Sequence, residues 1–340
     1  MRKCTLVGEG CDLSENGNLH SKTLLLLKPR GFCAGVVRAI DIVRIALEAF
    51  GRPIYVRKEI VHNRFVVEEL QQKGAIFVDS VDEVPAGERV IYSAHGVSPE
   101  VREASKLRKL RVIDATCPLV TKVHVEAVKF AKEGYSLILI GHRDHDEVIG
   151  TLGEAPGVTQ VVGSPAEVAS VTLPDPNRVA YLTQTTLSLD ETRDIIAALR
   201  KRFPNIQGPA AQDICYATEN RQVAVKHVAS DADLLLVVGS DNSSNSKRLV
   251  EVARSLGTEA HLIDDCRDIQ PRWLNGVKTV ALTAGASAPE HLVQEVVEYL
   301  AGKGFGDVQE LEIMPENVRF GLPPEIVATI AAAPAIAMES

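Results

Sequence analysis

TLLLLKPRGFCAGVVRAIDIVRIALEAF, residues 23–50, decides how the chain is read. An apolar run of strand length, TLLLL (23–27), leads through Pro-Arg-Gly to Cys33, and an apolar stripe at helical spacing then runs from Val36 to Phe50, ending at Gly51. A cysteine therefore sits where a strand hands over to a helix. The same plan recurs twice. RVID (111–114) leads to Cys117 and a helix that opens on Pro118 and stops near Gly134, and the short DI (213–214) leads to Cys215 and a helix running to about Ala229.

Further features keep the same phase. The next strand of each unit ends in a polar loop: VHN (61–63), GHRDHDE (141–147) and GSDNSSN (239–245). His62 lies 29 residues after its cysteine, and His145 and Ser243 lie 28 after theirs. A later strand ends in a second polar cluster, SAHG (93–96), TQTT (183–186) or TAGAS (283–287). Capped helices are expected after each, from Ser98, Ser188 and Ser287. Strands alternating with helices predict an α/β fold with parallel sheets. Three repeats of one plan predict three pseudo-equivalent small domains around a common centre, at 23–113, 114–211 and 212–303, with an extension at 1–22 and a loosely held tail at 304–340. Ligands of open parallel sheets lie at the carboxyl ends of strands, so the polar segments should converge on one cavity.

Composition narrows the partners. At 340 residues, 45% apolar and 24% charged, the chain is of globular type, and a net charge of −8 argues against a broad grip on nucleic acid. The apolar stretch 326–338 is broken by Pro334 and too short for a bilayer span. Glu9, Asp12 and Glu15 stand where a signal peptide would carry its apolar core. A cytoplasmic chain with no membrane partner is expected. Its six cysteines include no C-x-x-C pair, so any shared task must bring distant ones together.

A lone cysteine is ordinarily a small buried hydrophobe, but Cys33, Cys117 and Cys215 in register at helix starts can offer three thiolates to one metal centre. Three thiolates leave a coordination position open, and spacing alone does not separate zinc from an iron–sulfur cluster. His62, His95 and His145, with Ser243, Ser244, Asn245 and Ser287, form a mostly uncharged donor set that suits a diphosphate held by many hydrogen bonds. Glu147 is either a solvated loop carboxylate or a general acid, and Thr185 either caps a helix or meets a substrate hydroxyl.

The segments PRGFCAG (29–35), VHN, SAHGVS (93–98), DATCPLV (114–120), GHxxHxEV (141–148), TQTTLS (183–188), DICYAT (213–218), GSxNSSNS (239–246) and TAGASAPE (283–290) together resemble the 4-hydroxy-3-methylbut-2-enyl diphosphate reductase family, over roughly residues 23 to 320. The resemblance implies three α/β lobes around a 4Fe-4S cluster held by Cys33, Cys117 and Cys215, whose open iron binds the substrate oxygen. It implies that His62, His95, His145, Ser243, Ser244, Asn245 and Ser287 bind the diphosphate and its surroundings, that Thr185 positions the substrate hydroxyl and that Glu147 donates a proton. The implied activity is reductive dehydroxylation of the allylic diphosphate to isopentenyl and dimethylallyl diphosphate, the last step of the methylerythritol phosphate route. Ferredoxin or flavodoxin is the implied electron donor. Val37, Asp146 and Glu219 depart from the residues common in the family, where Asp, Pro and Gln are expected. A zinc-dependent phosphoesterase and a non-catalytic iron–sulfur sensor are the competing classes.

Overall fold

A computed structural model describes residues 22–332; Cys4, Cys11 and the Ala-rich end from 333 lie outside the described residues. Four consecutive leucines make β1 (Thr23–Lys28) a strand that needs cover on both faces. Leu24 and Leu26 pack into one apolar cluster, Leu25 and Leu27 into another, as strand alternation requires. Each such burial is worth roughly 1.5–3 kcal/mol, which favours a central position over an edge.

The chain continues through α1 (Ala34–Phe50), β2 (Ile54–Arg57), α2 (Arg64–Gln72), β3 (Ala75–Val78), β4 (Arg89–Tyr92), α3 (Pro99–Leu107) and β5 (Arg111–Asp114). The second passage runs through α4 (Pro118–Lys132), β6 (Ser136–Ile140), α5 (Asp146–Glu154), β7 (Thr159–Val162), β8 (Val179–Thr183) and α6 (Leu189–Arg202). The third has α7 (Tyr216–Val228), β9 (Leu234–Val238), α8 (Ser244–Ser255), β10 (Glu259–Ile263), β11 (Thr279–Ala284), α9 (Glu290–Ala301), β12 (Asp307–Glu312) and α10 (Pro324–Ala332). The described strands form three parallel sheets, ordered β3-β2-β4-β5, β7-β6-β8 and β10-β9-β11-β1-β12. No helix among the described residues is long and apolar enough to cross a membrane.

Strand pairing departs from the sequence division in one systematic way. β1 opens the first unit in sequence but pairs with β11 and β12 in the third sheet. β5, which leads to Cys117, completes the first sheet beside β4. The DI before Cys215 is no strand; a single bridge from Gln207 to Ala180 of β8 takes the corresponding place. Each stretch leading to a cysteine thus belongs to the sheet of the preceding unit, and β1 closes the ring. An apolar pattern reveals a strand from its own residues, whereas the partner it chooses is non-local.

The described part of the segment after 304, read from the sequence as a tail, is held. β12 pairs with β1 from Thr23 to Lys28. Beyond it Glu316 meets the fully buried Arg221 at 3.1 Å, Arg38 donates to the Gly321 carbonyl at 2.7 Å, and Ile326 is buried in the core around α1. Of the three expected caps, Ser188 alone accepts the backbone N–H of Glu191, at 3.4 Å. Ser98 makes no such bond, and α9 starts after Pro289, which leaves the Ser287 hydroxyl to donate to the His62 carbonyl at 2.8 Å.

Candidate active site

Cys33, Cys117 and Cys215 are the N-cap residues of α1, α4 and α7. Their backbone N–H groups donate to equivalent carbonyls, of Ala286, Ala94 and Thr185, at 3.0–3.1 Å, so the sequence repeat is also a repeat of hydrogen bonds. Gly35 shows how closely the thiols approach: a Cβ there would stand 2.8 Å from Cys117 Sγ and 3.8 Å from Cys33 Sγ. Cys215 Sγ accepts the backbone N–H of Thr218 at 3.4 Å and lies 3.2 Å from its hydroxyl. Burial pushes the Cys117 thiol up to about 12 and the Cys215 thiol up to about 11, helix amides oppose the shift, and the neighbouring cysteines add to it. Soft donors crowded and desolvated in this way become thiolates when they share a metal, so the set fits an iron–sulfur cluster with one protein-free position. Cys266 is not among the lining residues and packs instead against the core of the third sheet.

Three histidines line the same cavity as the thiols. His62 and His95 stack with ring centroids 4.0 Å apart, and His145 meets both edge-on at 5.5 and 5.7 Å. Burial, aided by the other rings, holds His95 well below the usual imidazole range and His145 down at about 3, so both are neutral at physiological pH. The Glu147 backbone N–H donates to His145 Nδ1 at 3.2 Å, which leaves the proton on Nε2 as an outward donor. His62 Nδ1 faces Glu59 Oε2 at 3.1 Å, and the same oxygen accepts from Asn242 Nδ2 at 2.6 Å.

Glu147 is buried, not a solvated loop carboxylate. It accepts the Thr185 backbone N–H at 2.6 Å and the Thr185 hydroxyl at 3.0 Å. Those bonds favour the anion, yet burial outweighs them and pushes the carboxyl up to about 7. At neutral pH it is poised to give or take a proton through a hydroxyl already in contact.

The third unit supplies hydroxyls and an amide. Ser243 caps α8, accepting the Ser246 N–H at 3.3 Å, and Ser244 donates to the Thr186 carbonyl at 3.2 Å. Asn245 ties the wall to the thiols: its Nδ2 donates to Thr218 Oγ1 at 3.2 Å and its Oδ1 accepts the Ala286 N–H at 2.9 Å. The twelve residues singled out in the sequence all line one cavity, open at its mouth, whose lining contains no Lys or Arg. The N-termini of α1, α4, α5, α7 and α8 all begin at lining residues, and their dipoles favour an anion where charged side chains are missing.

Other contributors escaped the sequence reading. Glu59 shows no motif of its own, and its importance appears only when His62 and Asn242 meet it. Tyr216, whose hydroxyl accepts the Ala34 N–H at 3.1 Å, couples two cysteine turns. Phe320 reaches the lining from the segment read as a tail. Thr218, inside the quoted DICYAT, carried a signal that was available.

The model of the LytB protein family matches residues 24–301, a span that contains every one of those twelve residues. The chain belongs to the LytB family. It is 55% identical over 315 residues to the 4-hydroxy-3-methylbut-2-enyl diphosphate reductase of Acidothermus cellulolyticus, covering 92% of this chain and 93% of that protein. It is 57% identical over 311 residues to the enzyme of the same name from Leifsonia xyli subsp. xyli, covering 91% and 92%. The solved structure of the E-1-hydroxy-2-methyl-but-2-enyl-4-diphosphate reductase from Plasmodium falciparum matches with a TM-score of 0.89 at 43% identity, covering 92% of this chain and 98% of that one. This LytB chain is an oxidoreductase with the fold of those reductases.

Proposed function

We propose that this LytB protein reduces (E)-4-hydroxy-3-methylbut-2-enyl diphosphate to isopentenyl diphosphate and dimethylallyl diphosphate, as the last step of the methylerythritol phosphate route. The observation that carries this reading is the Glu147–Thr185 pair facing three converging thiols in a cavity without Lys or Arg. The names of relatives more than half identical support it. A 4Fe-4S cluster held by Cys33, Cys117 and Cys215 would supply electrons singly and a Lewis-acidic iron.

The protein's own groups do the rest. Neutral donors such as His145 Nε2–H and the hydroxyls of Ser243, Ser244 and Ser287, with Asn245, His62 and His95, bind the diphosphate, and the helix N-termini offset its charge. Thr185 holds the substrate hydroxyl. Glu147 passes its proton through the Thr185 hydroxyl to that oxygen, so that the C–O bond breaks with loss of water. Overall two electrons and two protons enter, and the second proton reaches carbon at either end of the allylic unit to give the two products. The electrons come from a donor protein of the ferredoxin or flavodoxin class. The acidic chain and its free cysteines suit the cytoplasm.

Iron, sulfide and zinc content of anaerobically purified protein, with its visible spectrum before and after substrate, tests this. Roughly four irons per chain, a spectrum that shifts on adding substrate, and formation of both products are expected. Zinc alone after attempted reconstitution, with phosphate released from the substrate, would overturn the reductase in favour of a hydrolase.

A further inference from the structure

The segment between β12 and α10, residues 313–323, forms neither helix nor strand, yet it is fixed at the places where the chain turns into its cysteines. Arg221 of α7 is fully buried and divides its planar fork among three partners. They are the Gly31 carbonyl at 2.6 Å, the Ala217 carbonyl at 2.9 Å and the two carboxylate oxygens of Glu316 at 3.1 and 3.2 Å. Gly31 stands two residues before Cys33, and Ala217 two residues after Cys215. Arg38 of α1 does the same for the remaining turn. Its Nη1 donates to the carbonyls of Ala115 and Thr116, immediately ahead of Cys117, at 3.1 and 3.0 Å, and its Nε donates to the Gly321 carbonyl at 2.7 Å.

Between these two clamps the chain turns one apolar side chain inward. Of residues 315–321, Glu316 and Phe320 are half-buried and the other five are exposed. Phe320 lines the cavity of the three thiols, and it is the one lining residue beyond 301, where the family match ends. Fastening the end of the chain does not require this arrangement. β12 already pairs with β1, and Ile326 is already buried in the core around α1, so the segment is anchored on both sides without either arginine. What the arginines add is a fixed position of the segment against all three cysteine turns.

We propose that residues 316–321 form a retaining strap across the three cysteine turns, with Phe320 as the apolar stopper that keeps water and oxidants from the metal held by the thiols. Arg38 and Arg221 are its positioning residues. The apolar shell around a metal site controls the access of solvent to it, and Phe320 supplies that shell from outside the repeat. A buried guanidinium without its carboxylate is costly, so the Arg221–Glu316 pair keeps the strap closed. The strap rests on the three-thiol centre of the proposed function, but neither on the reaction nor on the metal being iron.

The test follows release of metal from the loaded full-length chain to EDTA under anaerobic conditions, and loss of the visible spectrum in air, well below the melting temperature of each variant. Phe320→Ala should release its metal and lose its spectrum about 10-fold faster than the wild type, with equal metal content on purification. Phe320→Leu, which keeps a large apolar side chain, should restore most of the difference. Val318→Ala, at an exposed neighbour that does not line the cavity, should release metal at the wild-type rate. Glu316→Gln loosens the other end of the strap, and adding Phe320→Ala to it should bring little further acceleration. A wild-type release rate in Phe320→Ala, or equal acceleration by Val318→Ala, overturns the strap whether or not Glu316→Gln folds. Release that quickens as expected from a chain that holds zinc, or that fails to reduce the allylic diphosphate, would sink the proposed function and leave the strap standing.

Discussion

The cavity has two walls built at corresponding places of the repeat, and they solve the same problem with different materials. His62 and His145 follow their cysteines at the spacing that Ser243 keeps in the third unit. The histidine wall is stiffened by ring contacts, and its buried members are held neutral by one another and by burial. The hydroxyl wall has no ring contacts and relies on hydrogen bonds, because Ser243 caps α8 and Asn245 bonds to both Thr218 and Ala286. A repeat position thus conserves where a donor points, not which residue carries it.

Both walls line the same cavity as the three thiols, so loss of the thiol set should be the largest effect. Cys117→Ser should abolish the cluster and with it turnover, whereas Cys266→Ser should keep the iron content and visible spectrum of the wild type. An intact spectrum in the Cys117 variant would remove the thiol set from the comparison. Next comes the acid beside the histidine wall. Glu147→Gln should lower turnover about 10²–10⁴-fold while leaving cluster content and diphosphate affinity intact, measured by single-turnover kinetics and titration with substrate.

The pH behaviour of Glu147 sharpens this. With its carboxyl pushed up to about 7, the protonated donor is lost as pH rises through that value, and turnover should fall on the alkaline side. Stability moves the same way. The folded protein holds this proton more tightly than the unfolded chain, so the contribution is full below about 4.5 and lost as pH climbs to about 7. Glu147→Gln should therefore melt higher than the wild type at pH 8 and lose the difference at pH 4.5.

The walls themselves separate at smaller effects. His95→Ala, which removes no helix cap, should raise KM roughly 10–100-fold, as expected for one hydrogen bond to a charged ligand, with little change in thermal stability. Ser243→Ala should raise KM less and in addition cost about 1 kcal/mol of stability through the lost cap. Equal melting temperatures for the two variants would break the distinction between ring-held and hydrogen-bonded walls. Least affected should be Glu59→Gln, where a KM increase of under ~10-fold with unchanged kcat would mark it as a residue that positions His62.

Much of this site could be read from the chain because its signals are local. Cys33, Cys117 and the polar clusters follow apolar runs, and an α/β sheet places strand ends together whatever the rest of the chain does. Phase alone groups Cys33 with Cys117 and Cys215. What stayed hidden depends on distant partners. Ser287 reads as a helix cap until the His62 carbonyl takes its proton. Glu59 is one charged residue among many until the loops at 62 and 242 close on it. The burial of Glu147, which sets its proton affinity, likewise comes from the packing of separate units around it.

The place of β1 has a consequence for how the protein comes into being. β1 is translated long before its neighbours β11 and β12, with Leu24 paired to Val280 and Val308. At about 5–20 residues per second, the strand waits roughly 13–50 s for its first partner. During that interval four leucines are without a sheet, next to the cysteine that has to join the other two. The third sheet can close only once β11 and β12 have been made, so the turn at Cys33, whose N–H needs the Ala286 carbonyl, takes its final place only then.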